Sequence, residues 1–170
     1  MTAREFPRVV TIDANVLTTC IGKSTSAENR RRLAHFFERV EKAKAKLIIP
    51  TPALAEYLVY ADKAALDSIE LLERKSYILI APFDRAAAYE CSQMDAAALG
   101  RGDKRDGRKD AWQKVKIDRQ IVAIGKANGT QAFLSDDFGV ETAAKRIGVP
   151  TMNVRNLELP TTQGELKLRG

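Results

Sequence analysis

IDRQIVAIGKANGTQAFLSDD, residues 117–137, is the stretch whose reading decides the fold. Ile117 to Ala127 reads as a helix. Asn128-Gly129 ends it as a left-handed cap, because glycine adopts positive φ without steric cost. Gln131 to Leu134 follows as a short strand, and two acids, Asp136 and Asp137, stand just beyond it. A third acid, Asp118, lies at the start of the helix. Helix, turn, buried strand and acids in this order suggest an α/β unit with polar chemistry at the strand's carboxyl end.

The pattern repeats outward. Val9 to Ile12 is a β-branched run that reads as a buried strand, with Asp13 directly after it. Polar loop chemistry follows through Ser26. Leu33, Phe36, Phe37 and Val40 fall at helical spacing within Ala27 to Lys44. Leu47 to Ile49 is a second strand, closed by Pro50-Thr51-Pro52. Thr51 is expected to cap the helix that continues through Tyr60 and carries Glu56. Lys63 to Arg74 is a further helix, and Tyr77 to Ala81 a third strand. Asp84 is placed to cap a helix reaching Leu99. Gly100 to Lys116 shows dense charge without periodicity and reads as a loop. Beyond the deciding stretch, Phe138 to Ile147 is a helix stopped by Gly148, and Thr151 to Val154 a last strand. Short apolar strands alternating with helices predict one α/β domain over residues 1–160, followed by a polar tail, 161–170. Its central, mostly parallel sheet of about five strands should be flanked by helices.

Composition agrees with a globular domain: 170 residues, 45% hydrophobic and 29% charged. No apolar run approaches the roughly 20 residues of a membrane span. The N-terminus lacks a signal-peptide pattern, so a cytoplasmic location is expected. Cys20 and Cys91 are too few and too far apart for a disulfide framework or a CxxC metal pair, and read as buried free thiols. The net charge is +6, and Arg101 to Arg119 holds eight Lys/Arg against four Asp. That stretch reads either as a solvated loop or as an arm contacting phosphates.

Each acid has a bland role available. Asp13 and Asp136 or Asp137 can cap turns or helices, Asp118 can favour a helix's first turn, and Glu56 can face solvent. Together they favour a different reading. At about 4 Å and an effective dielectric near 20, one like-charged pair costs on the order of 4 kcal/mol, so such a cluster calls for a cation. Oxygen donors without a His or Cys cluster select a hard ion, Mg²⁺ or Mn²⁺. Such an ion activates water and polarises a phosphodiester.

The chain resembles PIN-domain ribonucleases, the fold used by VapC-type toxins. TIDANVL matches the strand-then-Asp motif, with Asp13 as first acid and Asn15 as its polar companion. IPTPALAEYL places Glu56 as second acid. KIDRQIVAIGKANG places Asp118 as third. FLSDDFGVETAAKRIGVP supplies Ser135 and a fourth acid, Asp137, with Asp136 as the alternative. The resemblance spans Val9 to Val154. It implies a Mg²⁺- or Mn²⁺-dependent endoribonuclease with an RNA substrate, a homodimer and, for a toxin, an antitoxin partner. Asp13, Asp118, Asp137 and Glu56 would hold metal, with Glu56 also able to orient and deprotonate water. Asn15 and Ser135 would position these groups. Lys114, Lys116 and Arg119, which flank Asp118, are candidate phosphate contacts. Trp112 is read either as a base-stacking surface or as an anchor for the loop. Two departures from the pattern stand out: the long basic segment Gly100 to Lys116, and Phe138-Gly139-Val140 where charged residues are more usual.

Other readings fall away or stay as rivals. His35 lies beside Phe36 and Phe37 and reads as structural, which argues against histidine acid–base chemistry. Arg30-Arg31-Arg32 reads as a solvated face. A haloacid-dehalogenase-like phosphatase needs an Asp where Asn15 stands. Gly22-Lys23-Ser24 lacks the glycine that a phosphate-binding loop requires at Leu17. The rival that stands is a non-catalytic RNA- or protein-binding module.

Overall fold

A computed structural model describes residues 6–22 and 24–161; residues 162–170 of the predicted tail, and Lys23, lie outside the described residues. Within these residues five strands form one parallel sheet: β1 (Val9–Ile12), β2 (Lys46–Pro50), β3 (Ile78–Ala81), β4 (Ala132–Leu134) and β5 (Thr151–Met152). Their order across the sheet is β3-β2-β1-β4-β5, and every adjacent pair is parallel. The chain therefore builds outward from β1 on one side, then returns to build on the other. The reversal falls between β1 and β4, where Ile12 is in register with Leu134. Crevices at such switch points are where α/β sheets place their sites.

Among the described residues, seven α-helices cover both faces: α1 (Ala14–Ile21), α2 (Ala27–Lys42), α3 (Thr51–Leu58), α4 (Lys63–Glu73), α5 (Arg85–Gly100), α6 (Trp112–Ala127) and α7 (Phe138–Arg146). Strand alternation divides the core. Val10, Ile12, Leu47 and Ile49 pack against Val16, Leu33, Phe36, Val40 and Ile69 from α1, α2 and α4. On the opposite face, Phe133 packs with Ile121 and Val122 of α6 and Val140 of α7, and Ile48 with Ile124. Gly125 lets α6 approach the sheet there: a Cβ would stand 2.7 Å from the Phe133 ring and 2.8 Å from Thr11 Oγ1.

The structure corrects the sequence reading in four places. Residues 14–21, read as loop, form α1, which Asp13 caps by accepting from Val16 N–H. Trp112 to Lys116, also read as loop, form the start of α6, so Asp118 lies well inside that helix. Thr51 does not cap α3; the cap position is Pro50 and no side chain bonds there. The last strand ends at Met152, because Val154–Asn156 curl into a 3₁₀ turn. Among the described residues no helix is long and apolar enough to cross a membrane.

Candidate active site

Asp13, Glu56, Asp118 and Asp137 line one cavity of about 710 Å³, together with Asn15 and Lys114. Four separate elements deliver the acids. Asp13 follows β1 and caps α1; Asp137 follows β4 and caps α7. Both sit at positive helix ends, which favour a carboxylate. Glu56 comes from α3. Asp118 occupies the buried face of α6, a side otherwise held by Val115, Ile121 and Val122.

Each of the α6 and α7 acids turns one oxygen toward Lys114 and the other away from it. Asp137 Oδ1 accepts the N–H groups of Gly139 (2.7 Å) and Val140 (3.2 Å). Its Oδ2 lies 2.8 Å from Lys114 Nζ. Lys114 Nζ is also 2.8 Å from Asp118 Oδ1. These two oxygens thus converge on one ammonium. Asp118 Oδ2 stands 2.7 Å from a guanidinium nitrogen of Arg108. This is an ion pair without a directed donor, since no hydrogen bond reaches that buried oxygen. Asp13 is fully engaged: Oδ1 takes Val16 N–H and Oδ2 takes the Ser135 hydroxyl.

Electrostatics separate the acids. Burial pushes Asp13 up to about 6, aided by the charges of Asp137 and Asp136 and opposed by the bonds from Ser135 and Val16. Burial also raises Glu56; Lys114 opposes that rise, and the charges of Asp118 and Asp137 add to it. Asp118 is raised by burial despite Lys114 and Arg108. Burial works against ionising Asp137 as well, but Lys114 and the α7 amides prevail and hold it below the ordinary carboxylate range. The same contacts carry Lys114 well above the usual ammonium range against its own burial.

The remaining predicted residues are scattered. Ser135 is buried and ties Asp13 to the β4 end, and its oxygen accepts Asp137 N–H at 3.0 Å. Asp136 turns away to accept Val154 N–H at 3.0 Å. Lys116, Arg119 and Trp112 do not line the cavity. Arg119 is 4% exposed and pairs with Asp95 of α5 at 2.7 Å, so its guanidinium is not presented to a phosphate. Trp112 lies under Lys104 (4.9 Å) and Arg119 (5.7 Å), which describes an anchor joining the loop to α6. Arg108 was missed by sequence reasoning, because a loop arginine carries no periodic signal of what it will meet.

The donor set suits a hard cation. It is all oxygen, and two carboxylates already direct one oxygen each at a single cationic atom, Lys114 Nζ, which acts as a stand-in ion. As the side chains stand, no three His, Cys, Asp or Glu groups among the described residues come close enough to hold one ion together. Asp13 and Glu56 border the same cavity without reaching that point.

No protein-family model matches the chain, and no curated protein matches it in sequence. Solved structures do. The chain is similar to VapBC2 from Rickettsia felis bound to a promoter DNA fragment: 15% identity, TM-score 0.58, covering 85% of this chain and 98% of that one. It is also similar to DNA-bound VapBC from Salmonella typhimurium, at 16% identity and TM-score 0.54, covering 85% and 97%. VapBC-1 from nontypeable Haemophilus influenzae gives 13% identity and TM-score 0.57, covering 87% and 99%. At these identities the likeness defines the fold: a PIN-like α/β domain of the kind found in VapBC complexes.

Proposed function

We propose that the chain is a metal-dependent endoribonuclease, the toxin of a toxin–antitoxin pair. The observation that carries this reading is the convergence of Asp118 Oδ1 and Asp137 Oδ2, each 2.8 Å from Lys114 Nζ, in a cavity that Asp13 and Glu56 also line. Asp118 and Asp137 would hold Mg²⁺ or Mn²⁺, with Asp13 and Glu56 completing the set. A bound divalent ion supplies a more acidic water and polarises the phosphodiester. Glu56 accepts the proton of the attacking water, a task suited to a carboxylate whose proton affinity burial has raised. One phosphorus–oxygen bond forms to the water oxygen, the bond to the leaving sugar oxygen breaks, and that oxygen takes up a proton from solvent water to leave as a hydroxyl. Asn15 is exposed on the cavity wall and orients the phosphate. Ser135 holds Asp13 in place. Lys114 is the predicted phosphate contact that lines the cavity. A homodimer, an antitoxin partner and a cytoplasmic location belong to this reading through the PIN resemblance and the likeness to chains of VapBC complexes.

A second reading draws on the same ammonium. If Lys114 and Arg108 are permanent counter-ions, the domain binds RNA or protein without catalysis. Cleavage of labelled, mixed-sequence single-stranded RNA separates the two, with matched DNA alongside. Wild type, Asp13→Asn and Asp118→Asn are compared with Mn²⁺, Mg²⁺ or EDTA. Metal-dependent cutting of RNA by wild type alone is expected. RNA bound but uncut under every condition supports the binding module.

A further inference from the structure

The two stretches in which the chain departs from the PIN pattern meet on one carboxylate. The basic segment after α5 brings Arg108 to Asp118, and the unusual Gly139 at the start of α7 leaves room for it. A Cβ at Gly139 would overlap both Asp118 Oδ2 and the Arg108 guanidinium. We propose that Arg108 is a positioning residue of this site: it locks Asp118 so that Oδ1, and not Oδ2, faces the cation. The inference rests on the metal-dependent reading above and adds a residue to it.

Three features make Arg108 a fixture. Its side chain is only 7% exposed, whereas that of Lys114 is 39% exposed. Asp110 anchors it from behind, accepting from Nε at 2.9 Å and lying 2.8 Å from Nη2. The segment around it is stiffened: Asp103 accepts the N–H groups of Arg105 and Gly107, and Asp106 bridges Arg101 to Arg146 of α7. Arg108 N–H itself closes a turn onto the Arg105 carbonyl. A guanidinium held this firmly is a lasting partner for Oδ2. Lys114, half-exposed on the cavity wall, is the cation that can be exchanged. The division of labour resembles the way outer groups orient metal ligands elsewhere, where removing one costs about 10–100-fold in affinity.

The sign of one measurement tests this. A positive charge beside a cation site repels the cation, so a mere neighbour, once removed, would let Mn²⁺ bind more tightly. A positioning residue, once removed, weakens binding. The full chain, stripped with EDTA, is titrated with Mn²⁺ by calorimetry and by loss of the aqueous Mn²⁺ EPR signal. For Arg108→Met, Mn²⁺ affinity is expected to fall by about tenfold or more. Arg108→Lys should recover most of it. Gly139→Ala, which keeps every charge but crowds the Arg108–Asp118 pair, should fall with Arg108→Met; it also carries the test if Arg108→Met does not fold. Unchanged or tighter binding in Arg108→Met and Gly139→Ala overturns the role of Arg108 and leaves the nuclease reading intact. Wild type that binds no Mn²⁺ overturns both.

Discussion

Ser135 donates its hydroxyl to Asp13 Oδ2, joining the carboxyl ends of β4 and β1 across 122 residues of sequence. The bond favours the ionised form of Asp13, but burial outweighs it and leaves the carboxyl at about 6, against an ordinary 3.8. A raised folded value means that the group is protonated in both states below about pH 4, where it costs nothing. As pH rises from about 4 to about 6, the unfolded chain ionises it while the fold resists, so stability is lost until the folded group ionises too. The loss amounts to on the order of 3 kcal/mol. Urea unfolding without divalent ions, at pH 4 to 7, should show wild type losing stability relative to Asp13→Asn across that window. A difference independent of pH would refute the raised value. Ser135→Ala should move the window to higher pH.

Divalent ions should oppose that loss, because binding requires the ionised carboxylates. A free ion at about 100 times its Kd stabilises by about 2.7 kcal/mol. In a domain of this size that moves Tm by about 5–10 °C. Scans with Mn²⁺, Mg²⁺ or EDTA at pH 7.5 should show the shift in wild type and a much smaller one in Asp118→Asn. Equal shifts in both would place the ion elsewhere.

The strand–acid junctions were legible because β-branched runs such as Val9–Ile12 bury on both faces, and the chain must turn polar where they end. That placed Asp13 and Asp137 correctly at the sheet edge. It did not reveal that each of these acids both caps a helix and lines the cavity. Helix α1 was hidden by Thr18 and Thr19. Their hydroxyls bond back to the carbonyls of Ala14 and Asn15, so these polar residues are satisfied inside the helix. The start of α6 was hidden for lack of a capping side chain at Ala111. Arg119 looked like a phosphate contact because sequence shows its charge, not that Asp95 of α5 would claim it. Contacts between α5, the basic segment and α6 are long-range pairings, which local pattern cannot register.

Gly125 offers a test of packing behind the site. Alanine in place of a mid-helix glycine ordinarily stabilises by roughly 0.5–1 kcal/mol. Here the added methyl would stand 2.7 Å from Phe133 and 2.8 Å from Thr11 Oγ1, pressing α6 off the β1–β4 junction. The sign should invert, and Gly125→Ala should lose about 1–3 kcal/mol in denaturant unfolding. A gain in stability would mean that α6 does not lie so close to the sheet.

Salt dependence distinguishes cations that meet RNA from cations that hold the fold. Arg119 is buried between Trp112 and Asp95. Arg119→Met leaves Asp95 without its partner and should cost about 1–3 kcal/mol, below the range for a fully buried pair. The partial exposure of Asp95, 37% of its side chain, keeps the cost toward the lower end. RNA binding should be insensitive: each phosphate contact to a single strand contributes about 0.7 to the slope of log K against log salt, and Arg119 makes none. Lys114→Gln should lower that slope by about 0.7, measured in EDTA so that no cutting intervenes. The same salt series on Arg119→Met, at a temperature where it remains folded, should superimpose on wild type in slope. A reduced slope for Arg119→Met would mean that its guanidinium leaves Asp95 when RNA arrives, and would restore it as a phosphate contact.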